Sequence, residues 1–305
     1  MKPLDIMTGP WMITPEKLAE LKAAFSAHMK DGKIKTKDLE SRAPGTVEDF
    51  QGKWQYDILK GAAIIPIKGI ISKNPTVFSF FFSGTSTKKV ARLIEEALNN
   101  RDVTAIVLDI DSPGGTVDGT QELAEFIFDR RGQKPIVTFT DGMVASGAYY
   151  IGAAADKIFI SGDMPPVGSI GVVTSHIDYS KMDERCGIKE TEIYAGKYKR
   201  IASYVEPLSN EGREYLQDQV DYIYSIFVND VAKYRNVSVD TVLKDMADGQ
   251  IFIGRQALDA GLVDGVSTFD RLLDTELPVL QVQCEQSTQQ WLTDLNKKLG
   301  KHPNS

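Results

Sequence analysis

The segment Val103-Thr-Ala-Ile-Val-Leu-Asp-Ile110 constrains the fold of this 305-residue chain more than any other. It is an almost unbroken apolar run, rich in β-branched residues and without the polar alternation of a strand that has one wet face. Strands of this kind are buried on both sides, as in a parallel sheet covered by helices. Parallel strands need long crossovers, usually helical, and the neighbouring sequence supplies them. Residues 88–99 place Val90, Leu93, Ile94, Ala97 and Leu98 on one helical face. Residues 117–129 read as a helix after a glycine turn. Further strands are expected at 62–67, 135–140, 157–161 and 170–174, and a further helix at 147–155. Strand and helix alternate, so the expected class is α/β.

The flanks have a different character. Thr14 suits an N-cap and Pro15 a first helical turn, with Leu18, Leu21 and Phe25 at helical spacing behind them. Residues 30–53 are polar and read as a linker or mobile arm. Residues 211–234 form one long helical pattern through Leu216, Val220, Ile223, Ile226, Phe227 and Val231, suited to core packing or to an oligomer contact. Shorter helices follow at 238–246 and 254–260, the second closed by Gly261 as a C-cap. From about residue 285 the chain is Gln-rich and is expected to fray. The organisation expected is an N-terminal helix and polar arm (1–60), a catalytic domain (61–270) and a polar C-terminal tail (271–305).

Composition removes several function classes. A formal net charge of −7 argues against broad attraction to nucleic acid. The two cysteines, Cys186 and Cys284, and the three histidines, His28, His176 and His302, are scattered. No metal site, disulfide framework or cofactor is therefore expected. The N-terminus lacks the apolar centre of a signal peptide, and no apolar stretch reaches the roughly 18 residues that mark a membrane span. A cytoplasmic protein with reduced thiols is the simplest expectation. The run Val77-Phe-Ser-Phe-Phe-Phe82 suits a core strand, a subunit contact or an apolar lip of a binding groove.

Three segments are suited to chemistry. In Asp109-Ile-Asp-Ser-Pro-Gly-Gly-Thr116 the two glycines let a ligand approach the backbone and leave N–H groups able to hold an oxyanion. The plain alternative is a tight strand-to-helix turn capped by Ser112 or Thr116. In Met143-Val-Ala-Ser-Gly-Ala-Tyr149 a serine opens a helix at the end of a strand, where open α/β sheets bind ligands. The plain alternative there is an N-cap serine. Tyr194-Ala-Gly-Lys-Tyr-Lys-Arg200 is a charge run that normally forms a solvated loop. A lysine in it becomes a general base only if burial lowers its pKa.

Taken together, these segments resemble the S49 peptidase family, which includes signal peptide peptidases and phage capsid-assembly peptidases. The resemblance runs from about residue 62 to 266. It is carried by Asp111-Ser-Pro-Gly-Gly115, Ala145-Ser-Gly-Ala-Tyr-Tyr150, Ala154-Ala-Asp-Lys157, Val167-Gly-Ser-Ile-Gly-Val172, Gly196-Lys-Tyr-Lys199 and Gln256-Ala-Leu-Asp-Ala-Gly-Leu-Val-Asp264. It implies a ClpP/crotonase-like fold with an N-terminal helical arm, and a Ser–Lys dyad. Ser146 matches the nucleophile and Lys199 the general base. Gly114 and Gly115 match the oxyanion loop, with Gly147 assisting, and Ser169 falls where a hydroxyl can orient the lysine. Lys197 and Arg200 would help to keep Lys199 deprotonated by like-charge repulsion.

The resemblance also implies a polypeptide substrate and a homo-oligomer. The form Pro10-Trp-Met-Ile-Thr-Pro-Glu16 resembles phage and prophage members, which act on scaffold or portal proteins in infected bacteria. A soluble enzyme that clears membrane-derived peptides is the alternative. Two rivals of other classes are a crotonase-like acyl-CoA enzyme and an assembly protein without turnover. A Ser146–His176–Asp triad is a minor possibility.

Overall fold

Residues 9–30, 55–74 and 84–298 are described in the computed structural model of the chain. The polar arm and the apolar run 77–82 lie outside these residues. The chain opens with β1 (Trp11–Ile13), α1 (Pro15–Lys30), β2 (Asp57–Leu59), β3 (Ala62–Lys68), β4 (Ile70–Ser72), β5 (Gly84–Ser86) and α2 (Thr87–Asn99). There follow β6 (Ala105–Asp111), β7 (Gly114–Thr116), α3 (Thr120–Phe128), β8 (Ile136–Thr140), β9 (Val144–Ala145), α4 (Gly147–Ala153), β10 (Lys157–Ile160) and β11 (Pro166–Gly168). After α5 (Ser180–Arg185) comes the long α6 (Asn210–Arg235), then α7 (Val239–Thr241), β12 (Ile251–Ile253), α8 (Arg255–Asp259), β13 (Gly265–Val266), α9 (Phe269–Arg271) and α10 (Leu277–Lys298).

The apolar run that defines the sequence is β6, near the middle of a six-stranded sheet ordered β13-β10-β8-β6-β3-β2. All neighbours in it are parallel except β2, which pairs antiparallel with β3 at the edge. Alternate side chains of each strand go to opposite faces. Ile106, Leu108 and Ile110 join Ile65, Ile67, Ile136 and Ile158 on one face, packed with α2, α3, α4 and α6. Ala105, Val107, Val137 and Phe139 fill the other, covered by Leu272, Leu273 and Leu277. Both faces are dry, which is why β6 lacks polar alternation. This is the mixed α/β architecture, with a parallel central sheet, of the ClpP-like fold.

Two smaller sheets lie beyond the strand ends, β1-β7-β4-β5 and β12-β11-β9. They contain the segments on either side of Ser146. A partly buried ion-paired cluster ties β10 to the end of α6. Asp264 accepts from Arg235 at 2.7 Å, from the Ile158 amide at 2.9 Å and from Lys157 at 3.1 Å. Arg131 donates to the carbonyls of Ala153, Ala154 and Tyr234 and so caps the C-terminus of α4.

Three expectations change. Residues 170–174 form no strand, because the β-pairing there is a single antiparallel bridge from Val173 to Trp11. The helix expected at 117 starts at Thr120, because Gly119 adopts a left-handed conformation (φ 89°) at its N-cap. The Gln-rich stretch after 285 continues as helix to Lys298, and the apolar residues that begin this last segment pack on the sheet.

Candidate active site

Two clamps fix the turn that carries Ser146. On one side, Asp111 Oδ1 accepts the Met143 amide at 3.0 Å. The Ser112 amide donates to the Met143 carbonyl at 2.8 Å, and the Ala145 amide donates to the Ser112 carbonyl at 3.1 Å. On the other, the Ser146 amide donates to the Gly168 carbonyl at 2.8 Å. Held from both sides, Ser146 adopts φ 54° and ψ −121°. An L-residue avoids this region, at a typical cost of about 1–3 kcal/mol. Its side chain is buried, and its Oγ makes no hydrogen bond to any described residue. A buried hydroxyl without a partner costs a further ~1–3 kcal/mol. Strain and an unmet polar group therefore coincide on one side chain. A simple N-cap serine would have bonded the helix amides instead, and this one makes no such bond.

The glycine loop meets this turn directly. A Cβ on Gly114 (φ 101°) would strike the Met12 carbonyl oxygen and stand 2.9 Å from the Gly147 nitrogen. One on Gly147 would lie 3.4 Å from the Gly115 nitrogen. The three glycines are thus packed together beside Ser146, and side chains there would separate them. Their N–H groups differ in role. The Gly114 amide donates to Ser112 Oγ at 3.1 Å, and that hydroxyl donates to the Gly69 carbonyl at 2.6 Å. Gly114 therefore shapes the loop. Gly147 opens α4, so its N–H lies outside the helix's own hydrogen-bond ladder. Gly115 pairs in register with Met12 and with Ile71.

Ser169 follows Gly168 directly, is buried, and also has positive φ (52°). Its amide donates to the Gln250 carbonyl at 2.7 Å. Lys199, unlike the two serines, is not buried. It sits exposed in a turn where its amide donates to the Gly196 carbonyl at 3.1 Å. It makes no hydrogen bond to Ser146 within the chain. Its cationic neighbours are neutralised by pairing, Lys197 with Glu211 at 2.7 Å, and Arg200 with Glu206 at 2.7 Å and Glu192 at 3.1 Å. The expected like-charge repulsion on Lys199 is accordingly weak. His176 bonds through Nε2 to the Ser203 carbonyl at 2.8 Å, so no triad with Ser146 forms here. Asp111, Gly168 and Met12 also shape the surroundings of Ser146, roles that the motifs containing them do not assign. The Trp-Met-Ile triplet between Pro10 and Thr14 was the signal for the last. Among the described residues no group of His, Cys, Asp and Glu side chains is arranged to hold a metal ion. No helix there is long and apolar enough to cross a membrane.

The chain is similar to several known proteases. A putative protease of Methanocaldococcus jannaschii is 39% identical over 185 residues, 59% of this chain and 59% of the relative. The capsid assembly protease C of Escherichia phage lambda is 29% identical over 209 residues, 68% of this chain and 47% of the relative. A putative signal peptide peptidase of Enterococcus faecium is 35% identical over 183 residues, 60% and 53% respectively. The chain thus spans about half the length of the curated relatives it matches. Residues 129–278, which contain Ser146, Ser169 and Lys199, match the profile of peptidase family S49, and this segment of the chain belongs to that family.

Proposed function

We propose that the chain is a serine endopeptidase with Ser146 as nucleophile and Lys199 as general base. The observation that carries this reading is the strained, buried Ser146 with its unbonded hydroxyl beside the clustered glycines. Neutral Lys199 takes the hydroxyl proton as Oγ adds to a peptide carbonyl. The Gly115 and Gly147 N–H groups hold the oxyanion. The ammonium of Lys199 protonates the leaving amine as the C–N bond breaks. Water, deprotonated by the same lysine, then hydrolyses the ester and restores both residues.

The missing hydrogen bond between the two partners has a physical explanation in this reading. The segment that leads to Lys199 exposes several apolar side chains, Ile188, Tyr194, Tyr198 and Ile193, the last 97% exposed. Such a surface suits burial against a second copy of the chain. Burial would also favour the uncharged form that a general base needs. Mixing Ser146→Ala with Lys199→Ala tests the arrangement. Regained peptidase activity means that the dyad forms between copies, and no gain means that it forms within one. Full activity of Lys199→Ala alone would overturn its role.

The finer role we favour is processing of a scaffold or portal protein during phage head assembly, on the form of residues 10–16. The 35% identity to a putative signal peptide peptidase favours the second reading, clearance of membrane-derived peptides. Mass spectrometry of candidate scaffold and portal proteins co-expressed with wild type or Ser146→Ala separates the two. A Ser146-dependent cut in either protein supports the first reading.

A further inference from the structure

From the placement of β1 we infer that Trp11-Met12-Ile13 is a built-in occupant of the substrate groove, lying in the register of a peptide to be cleaved. The inference rests on Ser146 being the nucleophile. An extended substrate gains affinity by adding itself as a strand between exposed backbone edges. It must also place its scissile carbonyl at the oxyanion donors. β1 meets both requirements.

It runs antiparallel to β7, with Trp11 opposite Thr116, Met12 opposite Gly115 and Ile13 opposite Gly114. On its other side Trp11 exchanges both backbone hydrogen bonds with Val173, at 2.8 and 2.9 Å. Strand alternation then turns the Met12 N–H and C=O the other way, towards Gly115. The Thr14 amide continues this pattern, donating to the Pro113 carbonyl at 3.0 Å. The Met12 carbonyl oxygen therefore lies on the Gly115 side and close to Gly147, since a Cβ on Gly147 would be 3.1 Å from it. These are the two N–H groups assigned to the oxyanion. The strand is thus held between the two segments that flank Ser146, β7 and the stretch after Ser169.

The side chains fit the same assignment. Trp11 and Ile13 pack with Leu18, Leu21, Ile70 and Val173 in a cluster separate from the main core. Lys22 of α1 donates to Ser175 Oγ at 2.7 Å, which ties the arm to the far wall of the groove. With β1 in place Ser146 is only 1% exposed, so an external peptide reaches it only after β1 leaves. The groove so defined accepts an extended peptide with an unbranched apolar residue before the cut and large apolar residues on both sides of it.

The test uses the full chain. An alkyl fluorophosphonate labels wild type and a Trp11→Ala/Ile13→Ala variant, each with a Ser146→Ala control. Labelling about tenfold faster in the variant, slowed again by the added peptide Thr-Gly-Pro-Trp-Met-Ile-Thr-Pro, is the expected result. Equal rates, with no effect of the peptide, overturn the inference while leaving the nucleophile intact. Absence of labelling in both folded forms overturns the nucleophile assignment and the inference with it. Hydrogen exchange on the unmodified chain guards against a misfolded variant. Attachment of a peptidyl phosphonate at Ser146 should strip protection from the Trp11 and Thr14 amides. Retained protection counts against the occupant role.

Discussion

The amide of Ser146 and the carbonyl of Gly168, 2.8 Å apart, join the turn of the proposed nucleophile to β11. Gly168 has φ 114°, and a Cβ there would lie 2.8 Å from the Gln250 carbonyl oxygen. Gly168→Ala should therefore shift β11 and the serine together. Misplacement on the ångström scale typically costs about 100-fold in rate. The fluorophosphonate labelling rate of Ser146 should fall by about that much, with a loss of about 1–3 kcal/mol in chemical denaturation. An unchanged rate would mean that the serine does not depend on this bond.

Ser146→Ala should abolish labelling and turnover without weakening the fold. The substitution removes a buried hydroxyl that has no partner, worth about 1 kcal/mol or more. A melting temperature equal to wild type or a few degrees higher is expected by calorimetry. A marked decrease would mean that the hydroxyl is bonded in the working protein.

His176→Ala should keep full turnover. Its ring serves the Ser203 carbonyl, so the loss should appear as about 1 kcal/mol of stability. A fall in kcat as deep as that of Ser146→Ala would restore the histidine triad.

Stability should fall in alkali through three tyrosines of the core. Burial raises the pKa of Tyr149, of Tyr150, which also donates to Asp230, and of Tyr234. Unfolded tyrosines ionise near pH 10, whereas the native ones stay protonated. Above that pH the unfolded chain binds fewer protons, so stability is present below about pH 10 and lost as pH rises. Urea midpoints measured from pH 8 to 11 should be flat and then fall, with a smaller fall in Tyr150→Phe. A flat profile to pH 11 would contradict this.

Much of the fold was legible because hydrophobic periodicity is local. The run at 103–110 announced a strand dry on both faces, and Val90, Leu93, Ile94 and Ala97 announced a helix lying on it. Ser146 and the glycine pair were legible as motifs. What local sequence could not carry was pairing at a distance. Trp11 finds Val173 and Ser146 finds Gly168 only after folding. The charges at Lys197 and Arg200 looked like help for Lys199, yet Glu211, Glu192 and Glu206 neutralise them from other parts of the chain. The last helix was missed because its anchors, Leu272, Leu273 and Leu277, precede the polar stretch that drew attention.

The strand that supports Gly168 has a temporal consequence. β11 pairs with β12, and Asp264 satisfies Lys157, Arg235 and the Ile158 amide from just before β13. A ribosome that has exposed Ser146, its glycines and even Lys199 has not yet delivered either support. The nascent chain must therefore carry an unsupported Ser146 turn until β12 and Asp264 have emerged. In the proposed reading, synthesis itself delays the moment at which Ser146 becomes competent to attack a polypeptide.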